Sequence, residues 1–226
     1  MTVFRFSVPS LTAARRSALL AVAVATMAVS LPACLPLVVG GAMLGGGLVA
    51  TDRRTSGAIL EDEGIELRSS SRLRDALGER AHINVTSYNR QALLTGEVGS
   101  EKDKDLAGQV VSKVDNVQKI VNELEVTGYT SSFSQRSSDV LISGKVKAAF
   151  VDAKDIFANS FKVVTEHNIV YLMGRVTPRE ADRATDIARS IGGVQKVVRI
   201  FELISEEDLA RTLPQASKPA TPASAP

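Results

Sequence analysis

One cysteine, no tryptophan and two histidines in 226 residues exclude a good deal of chemistry at once. A single thiol closes no internal disulfide and supports no multi-cysteine metal site, so the fold is not stapled. Aromatic residues make up only 4% of the chain, too few for the ring platforms on which carbohydrate or single-stranded nucleic acid is stacked. Net charge is nearly absent too. Arg5, Arg15 and Arg16 stand in residues 1–33 without any acid, and the rest of the chain carries 24 basic against 25 acidic side chains. No global field draws nucleic acid, and no nucleic-acid partner is expected. Catalytic groupings are also missing. His82 and His167 have no nucleophile near them in sequence and read as turn or surface histidines. Gly40-Gly41 and Gly45-Gly46-Gly47 follow no strand and precede no Lys-Ser/Thr pair, so they are not phosphate loops. The expectation is a non-enzymatic protein without cofactor or metal.

What is present begins with a leader. Three arginines lie within residues 1–16, and residues 18–29 (ALLAVAVATMAV) form an apolar run. That run is short of the roughly 20 residues a membrane span takes, and the pattern is that of a secretory signal peptide over residues 1–33. It closes on Leu31-Pro32-Ala33-Cys34, which holds the only cysteine. This tetrad resembles the lipobox of bacterial lipoproteins: Leu31, Ala33 and Cys34 match, and Pro32 departs from the usual small residue. The resemblance implies that Cys34 is the lipid-attachment residue, acylated after cleavage. With Leu35 rather than Asp behind it, the sorting rule of that class implies the outer membrane, facing the periplasm. Several acyl chains on one residue anchor firmly where a single chain does not.

Residues 35–50 (LPLVVGGAMLGGGLVA) are apolar and carry five glycines. They fit either a membrane-proximal segment or a longer hydrophobic unit continuing residues 18–50, and Pro32, Pro36 and the glycines weaken a continuous helix there. Residues 51–66, with Glu61, Asp62, Glu63 and Glu66, read as a charged linker rather than an oxygen-donor metal site. The lipidated, glycine-rich segment and this linker together take up residues 34–66.

The most informative feature is an internal repeat. Residues 83–98 (INVTSYNRQALLTGEV) align with 161–176 (FKVVTEHNIVYLMGRV) at an offset of 78. Residues 117–126 (VQKIVNELEV) align with 194–203 (VQKVVRIFEL) at an offset of 77. In the second copy Asp139 suits a helix N-cap, and Ile142, Val146, Ala149 and Phe150 follow at helical spacing. Residues 161–165 and 169–174 read as strands around a turn at Glu166-His167-Asn168. Thr177-Pro178-Arg179-Glu180 has the form of a capping box with first-turn proline, opening a helix faced by Ala181, Ala184, Ile187, Ala188 and Ile191. Gly192-Gly193 ends it, and residues 196–204 make a last strand. The first copy runs the same way, with Ser100 capping its second helix. The order is αββαβ twice, an α+β fold in which two helices cover one face of a small mixed sheet.

Leu94, Gly96 and Val98, and Leu172, Gly174 and Val176, form a Leu-x-Gly-x-Val turn in each copy, followed by Gly193-Val194 and Val197 at the last strand of the second. On these marks the chain resembles a pair of tandem BON domains, a bacterial envelope module, spanning residues 67–127 and 137–205. The first copy has Asn116 where the second has Gly193. Residues 206–226 read as a disordered Pro/Ala-rich tail, with Glu206-Glu207-Asp208 at its beginning as a solvated helix start capped by Ser205.

The second copy is the more basic, with ten basic against eight acidic side chains over residues 137–204. On its first helix Leu141 lies off the core face beside Lys145 and Lys147. An exposed apolar side chain between lysines suits an anionic headgroup layer, where each lysine contributes on the order of 1 kcal/mol. The resemblance implies the same partner, an anionic phospholipid membrane met through this helix, in support of outer-membrane integrity. The alternative expectation is a periplasmic interaction module whose sheet edges dock an envelope or division-site protein partner.

Overall fold

A computed structural model describes residues 52–127 and 132–212. Cys34, the leader and residues 213–226 lie outside the described residues. In the first repeat α1 (Ser56–Leu77) leads into the hairpin β1 (Ala81–Tyr88) and β2 (Gln91–Val98), then α2 (Glu101–Ser112) and a last strand in two pieces, β3 (Lys119–Asn122) and β4 (Glu125–Val126). The second repeat has α3 (Phe133–Asp152), the hairpin β5 (Phe161–Glu166) and β6 (Ile169–Val176), α4 (Pro178–Ser190) and β7 (Lys196–Leu203), followed by a short α5 (Glu206–Thr212). The αββαβ order therefore holds in both copies, and the sheets are mixed. The middle strand of each pairs antiparallel with its hairpin partner and parallel with the strand after the second helix.

Two stretches differ from the sequence expectation. Residues 56–66 are not a linker but the first turns of α1, capped by Thr55, whose hydroxyl accepts from the Ala58 amide at 3.1 Å. Residues 206–212 are helical rather than tail, and the helix start expected at Glu206-Glu207-Asp208 is present, with the Ser205 hydroxyl accepting from the Asp208 amide at 3.0 Å. α3 likewise starts earlier than Asp139, at a Ser132 cap.

The helix starts explain a buried pair of acids. Asp62 and Asp139 occupy equivalent turns of α1 and α3, and both are nearly inaccessible. The Asp62 carboxylate accepts from the Asn89 and Arg90 amides at 2.7 and 2.8 Å, and that of Asp139 from the His167 and Asn168 amides at 3.1 and 2.9 Å. All four turn residues have positive φ, the left-handed geometry of a two-residue hairpin turn. Each aspartate thus fastens its hairpin to the first helix by satisfying donors that would otherwise be buried unpaired. In this setting Asp139 is a clamp inside a helix, not an N-cap.

Each sheet packs its helices on one face. Ile65, Leu73, Ala92, Leu94, Ala107 and Val111 form one core, and Ile142, Val146, Phe150, Val163, Leu172 and Ala184 belong to the other. The expected Thr177–Glu180 capping box is present and buried. Leu-x-Gly-x-Val lies inside β2 and β6 rather than at a turn, and its glycine is required sterically by the backbone opposite. A Cβ on Gly96, at φ +110°, would lie 2.1 Å from the His82 carbonyl oxygen, and one on Gly174 would lie 2.5 Å from that of Ser160.

The opposite faces of the two sheets meet each other. Tyr88 and Leu93 pack with Tyr171, Met173 and Ile200 in a third core, joined by Val121, Val164, Ile169 and Val198. The layers run helices, sheet, sheet, helices. Both repeats accordingly belong to one compact unit. Polar pairs ring this seam: Asn84 donates to Glu166 at 3.0 Å, Asn89 to Glu202 at 2.6 Å, and Lys162 to Glu66 at 2.6 Å. The segment entering α1 is bound on both sides. The Arg53 guanidinium makes a bidentate pair with the buried Glu180 at 2.8 and 2.7 Å, while that of Arg54 lies on Asp62 and over the Tyr88 ring, 4.3 Å from its centroid.

Candidate functional site

α3 supplies the surface that the sequence singled out. Its inward row is Ile142, Val146 and Phe150, with Asp139 on the same side. Leu141, Lys145 and Lys147 are all exposed. The outward row is more apolar than expected: Val140 is 73% exposed, Leu141 58% and Val151 72%. Gly144 and Ala148 lie between them, also exposed, and nothing approaches the place where a Gly144 side chain would be. At 100° per residue, Val140, Gly144, Ala148 and Val151 fall on one stripe, with Lys147 on one flank and Leu141 then Lys145 on the other. Just past the helix Phe157 is 50% exposed, and the Arg53 guanidinium lies 5.8 Å from its ring centroid. A shallow cavity of about 330 Å³ beside the stripe is lined by Asp52, Lys147, Val151, Ala158, Asn159 and Phe161.

A soluble helix that is apolar on both faces needs a second apolar neighbour. Val140, Val151 and Phe157 were not singled out from sequence, although the signal was present: apolar residues in α3 recur on two faces rather than one. Leu60 and Leu67 on α1 are also exposed, but Glu63 stands between them without a lysine flank. Among the described residues no helix is long and apolar enough to cross a membrane. Contact through α3 would therefore be interfacial.

The histidines fall differently. His82 is on β1. His167 is in the β5–β6 turn as expected, but it is not a bland surface residue. Its Nε2 lies 2.9 Å from Glu97 and its Nδ1 2.5 Å from Glu125, both on the first repeat. Burial pulls the imidazole down, and the Glu125 hydrogen bond with the charges of Glu125, Glu97 and Glu166 more than offsets this, leaving it above the ordinary histidine range. Burial pushes the Glu166 carboxyl up, the Asn84 hydrogen bond opposes it, and Glu97 and Asp139 add to the rise. Glu61-Asp62-Glu63 is no metal site: Asp62 is committed to the hairpin turn and Arg54, and Glu61 pairs with Arg68 at 2.6 Å.

Comparison with known proteins is consistent with the repeat. The BON domain family model matches residues 61–128 and 138–203. The outer membrane lipoprotein DolP of Haemophilus influenzae is 36% identical over 177 residues, covering 77% of this chain and 90% of that protein. A 21 kDa hemolysin of Actinobacillus pleuropneumoniae is 33% identical over 155 residues, covering 68% of this chain and 79% of that one. Among solved structures, CdsD of the Chlamydia trachomatis type III secretion system aligns at 14% identity and a TM-score of 0.28, covering 68% of this chain and 96% of that chain, which is too loose to inform function.

Proposed function

The chain belongs to the BON-domain family as a tandem, DolP-like member, and from this we propose that it is a non-enzymatic outer-membrane lipoprotein that faces the periplasm. Cys34 carries the lipid, α3 of the second domain lies on anionic phospholipid, and the protein supports envelope integrity. The observation that carries the membrane contact is the exposed apolar stripe of α3 between Lys145 and Lys147. Full burial of a Val or Leu side chain is worth about 1.5–3 kcal/mol. Val140, Leu141 and Val151, each more than half exposed, would together contribute roughly 3–5 kcal/mol, and the two lysines about 1 kcal/mol each on an anionic surface. Orientation and ordering consume part of that, so the contact alone is weak, and an acyl anchor raising the local concentration makes it effective.

Co-sedimentation of residues 52–226 with vesicles tests this reading. Binding is expected to vesicles containing phosphatidylglycerol and to fall sharply in Lys145→Glu/Lys147→Glu. Equal binding to neutral and anionic vesicles would sink it. A second reading, a docking module for an envelope protein, rests on the open edge strand β1 and the groove of about 710 Å³ between it and α1, lined by Leu73, Leu77, Ile83 and Val85. Crosslinking from β1 to one stoichiometric envelope protein, with no lipid effect, would favour it.

A further inference from the structure

The repeat places the two hairpin turns against the other domain's last strand, and the two corners carry different charges. At an offset of 78 Asn89 matches His167, Tyr88 matches Glu166 and Glu97 matches Arg175, and at 77 Glu125 matches Glu202. In the first corner Asn89 donates to Glu202, and the Arg175 Nε lies 3.0 Å from the same carboxylate. A cation therefore belongs to that corner. In the second corner His167 stands for Asn89, Glu125 for Glu202, and the position of the arginine is taken by a carboxylate, Glu97. Glu166 adds another acid where the first corner has Tyr88.

We propose that this second corner is a divalent-cation site of the zinc class, ligated by Glu97, Glu166 and Nε2 of His167, with Glu125 as a positioning residue. One ligand atom from each of the three ligands lies within 4.8 Å of the others. In a zinc site, ligand atoms 2.0–2.2 Å from the ion are about 3.4 Å apart, so modest side-chain rotation closes the set. The ligands are held by built elements: Glu97 by the central strand β2, and His167 by a turn that Asp139 fastens to α3. Glu97 and Glu166 are both buried. Burying two carboxylates together is costly unless a cation accompanies them. In the tautomer whose Nδ1–H donates to Glu125, Nε2 would turn its lone pair to the ion, the carboxylate–histidine–metal arrangement, with the ion displacing any proton shared between Nε2 and Glu97, 2.9 Å away. One imidazole with two carboxylates suits zinc or manganese better than magnesium or calcium, which prefer oxygen alone. A cavity of about 520 Å³ opens onto the corner, lined by Glu101, Glu123, Glu125, Glu166, His167 and Tyr171, and gives the ion an entry and room for a water ligand. Because Glu97 is on the first domain and Glu166 and His167 on the second, a bound ion rivets the two sheets together.

The test is Zn²⁺ titration of the chelator-treated full chain in detergent, against a competing chromophoric chelator, with thermal melting in parallel. One equivalent is expected to bind and to raise the melting temperature reversibly with chelator, and Co²⁺ should give the visible bands of a low-coordinate site. His167→Asn installs the residue that already holds the first domain's turn in the same left-handed geometry. Its amide can still reach Glu97 or Glu125, so without metal it should melt in one cooperative step, at a temperature lowered by the lost ion pair, yet bind at least about tenfold more weakly, as should Glu125→Gln, within the about 10–100-fold range of such supporting residues. Binding below half an equivalent would overturn the proposal. So would stoichiometric binding that His167→Asn and Glu97→Gln leave within twofold of the parent, since the ion would then reside elsewhere.

Discussion

Asp139→Ala should unfasten the second domain's hairpin. The Asp139 side chain is 3% exposed, and its two oxygens accept from the amides of His167 and Asn168. Alanine leaves both amides buried without an acceptor, at about 1–3 kcal/mol each, and both residues sit at positive φ, where the turn has little reason to stay once its acceptor is gone. The expected loss is about 4 kcal/mol. Asparagine keeps one acceptor oxygen but turns a donor toward the other amide, so Asp139→Asn should lose roughly half as much. Urea unfolding followed by circular dichroism measures this. With a slope near 2 kcal/mol per molar, alanine should move the midpoint down by about 2 M with the slope unchanged. A midpoint within 0.5 M of the parent would refute the reasoning, because the two amides would then have found other partners at no cost. Asp62→Ala should be more damaging, since Asp62 holds Ser87 Oγ and the Arg54 guanidinium in addition to its two turn amides. In every case one transition is expected, because the sheets share a core; two resolved transitions would refute the shared core.

Other outcomes follow from the same contacts. Gly174→Ala drives a methyl to 2.5 Å from the Ser160 carbonyl oxygen, and its urea midpoint should fall well below the parent's, while Gly192→Ala, with open space around it, should leave the midpoint nearly unchanged. Arg53→Ala removes the partner of a carboxylate that is 1% exposed and should destabilise by about 3–5 kcal/mol in the same assay. Burial alone would raise the Glu180 carboxyl, but Arg53 and the Thr177 amide outweigh it and hold it below the usual range. A depressed folded pKa gives stability that is present above the unfolded value near 4.5 and is lost as pH falls through the lower folded one. Melting temperature against pH should therefore decline on the acid side of 4.5 in the parent, with a shallower decline in Glu180→Gln. Val151→Glu puts a charge at the C-terminal end of the α3 stripe and should sharply weaken vesicle binding without much change in melting temperature, since Val151 is 72% exposed.

Much of the fold was legible because the chain states it twice. The Thr177 capping box and both hairpins follow from local chemistry, whereas the Leu-x-Gly-x-Val stretches, expected as turns, continue the strands β2 and β6. What was misread depended on tertiary partners. Asp62 and Asp139 look like linker and cap residues because an acid inside a helix is buried only when something distant satisfies it, here two amides from a hairpin more than 25 residues away. That also hid the first turns of α1, which carry Glu61, Asp62 and Glu63. The sheet-to-sheet contact left a faint trace in the unbroken apolar runs of Ala92-Leu93-Leu94 and Val170-Tyr171-Leu172-Met173, the pattern of strands covered on both faces. On α3 the same doubling concealed which row pointed outward, so Leu141 was identified and Val140 and Val151 were not. The His167 corner is not legible from either copy alone, because Glu97 and Glu125 belong to the first domain and only the seam between the sheets brings them to His167.

The shared core has a consequence for the domains taken singly. One repeat by itself would show solvent a greasy sheet face, Tyr88 and Leu93 in one case, Tyr171, Met173 and Ile200 in the other. A separated half would be an unfinished object, prone to pair with its own kind. Joining the two in one chain supplies the missing half at millimolar effective concentration wherever the protein is made. The tandem arrangement is in this sense a dimer whose stoichiometry cannot drift. It can therefore differ from one side to the other: one copy presents the lysine-flanked stripe while its twin, relieved of that task, carries the polypeptide in.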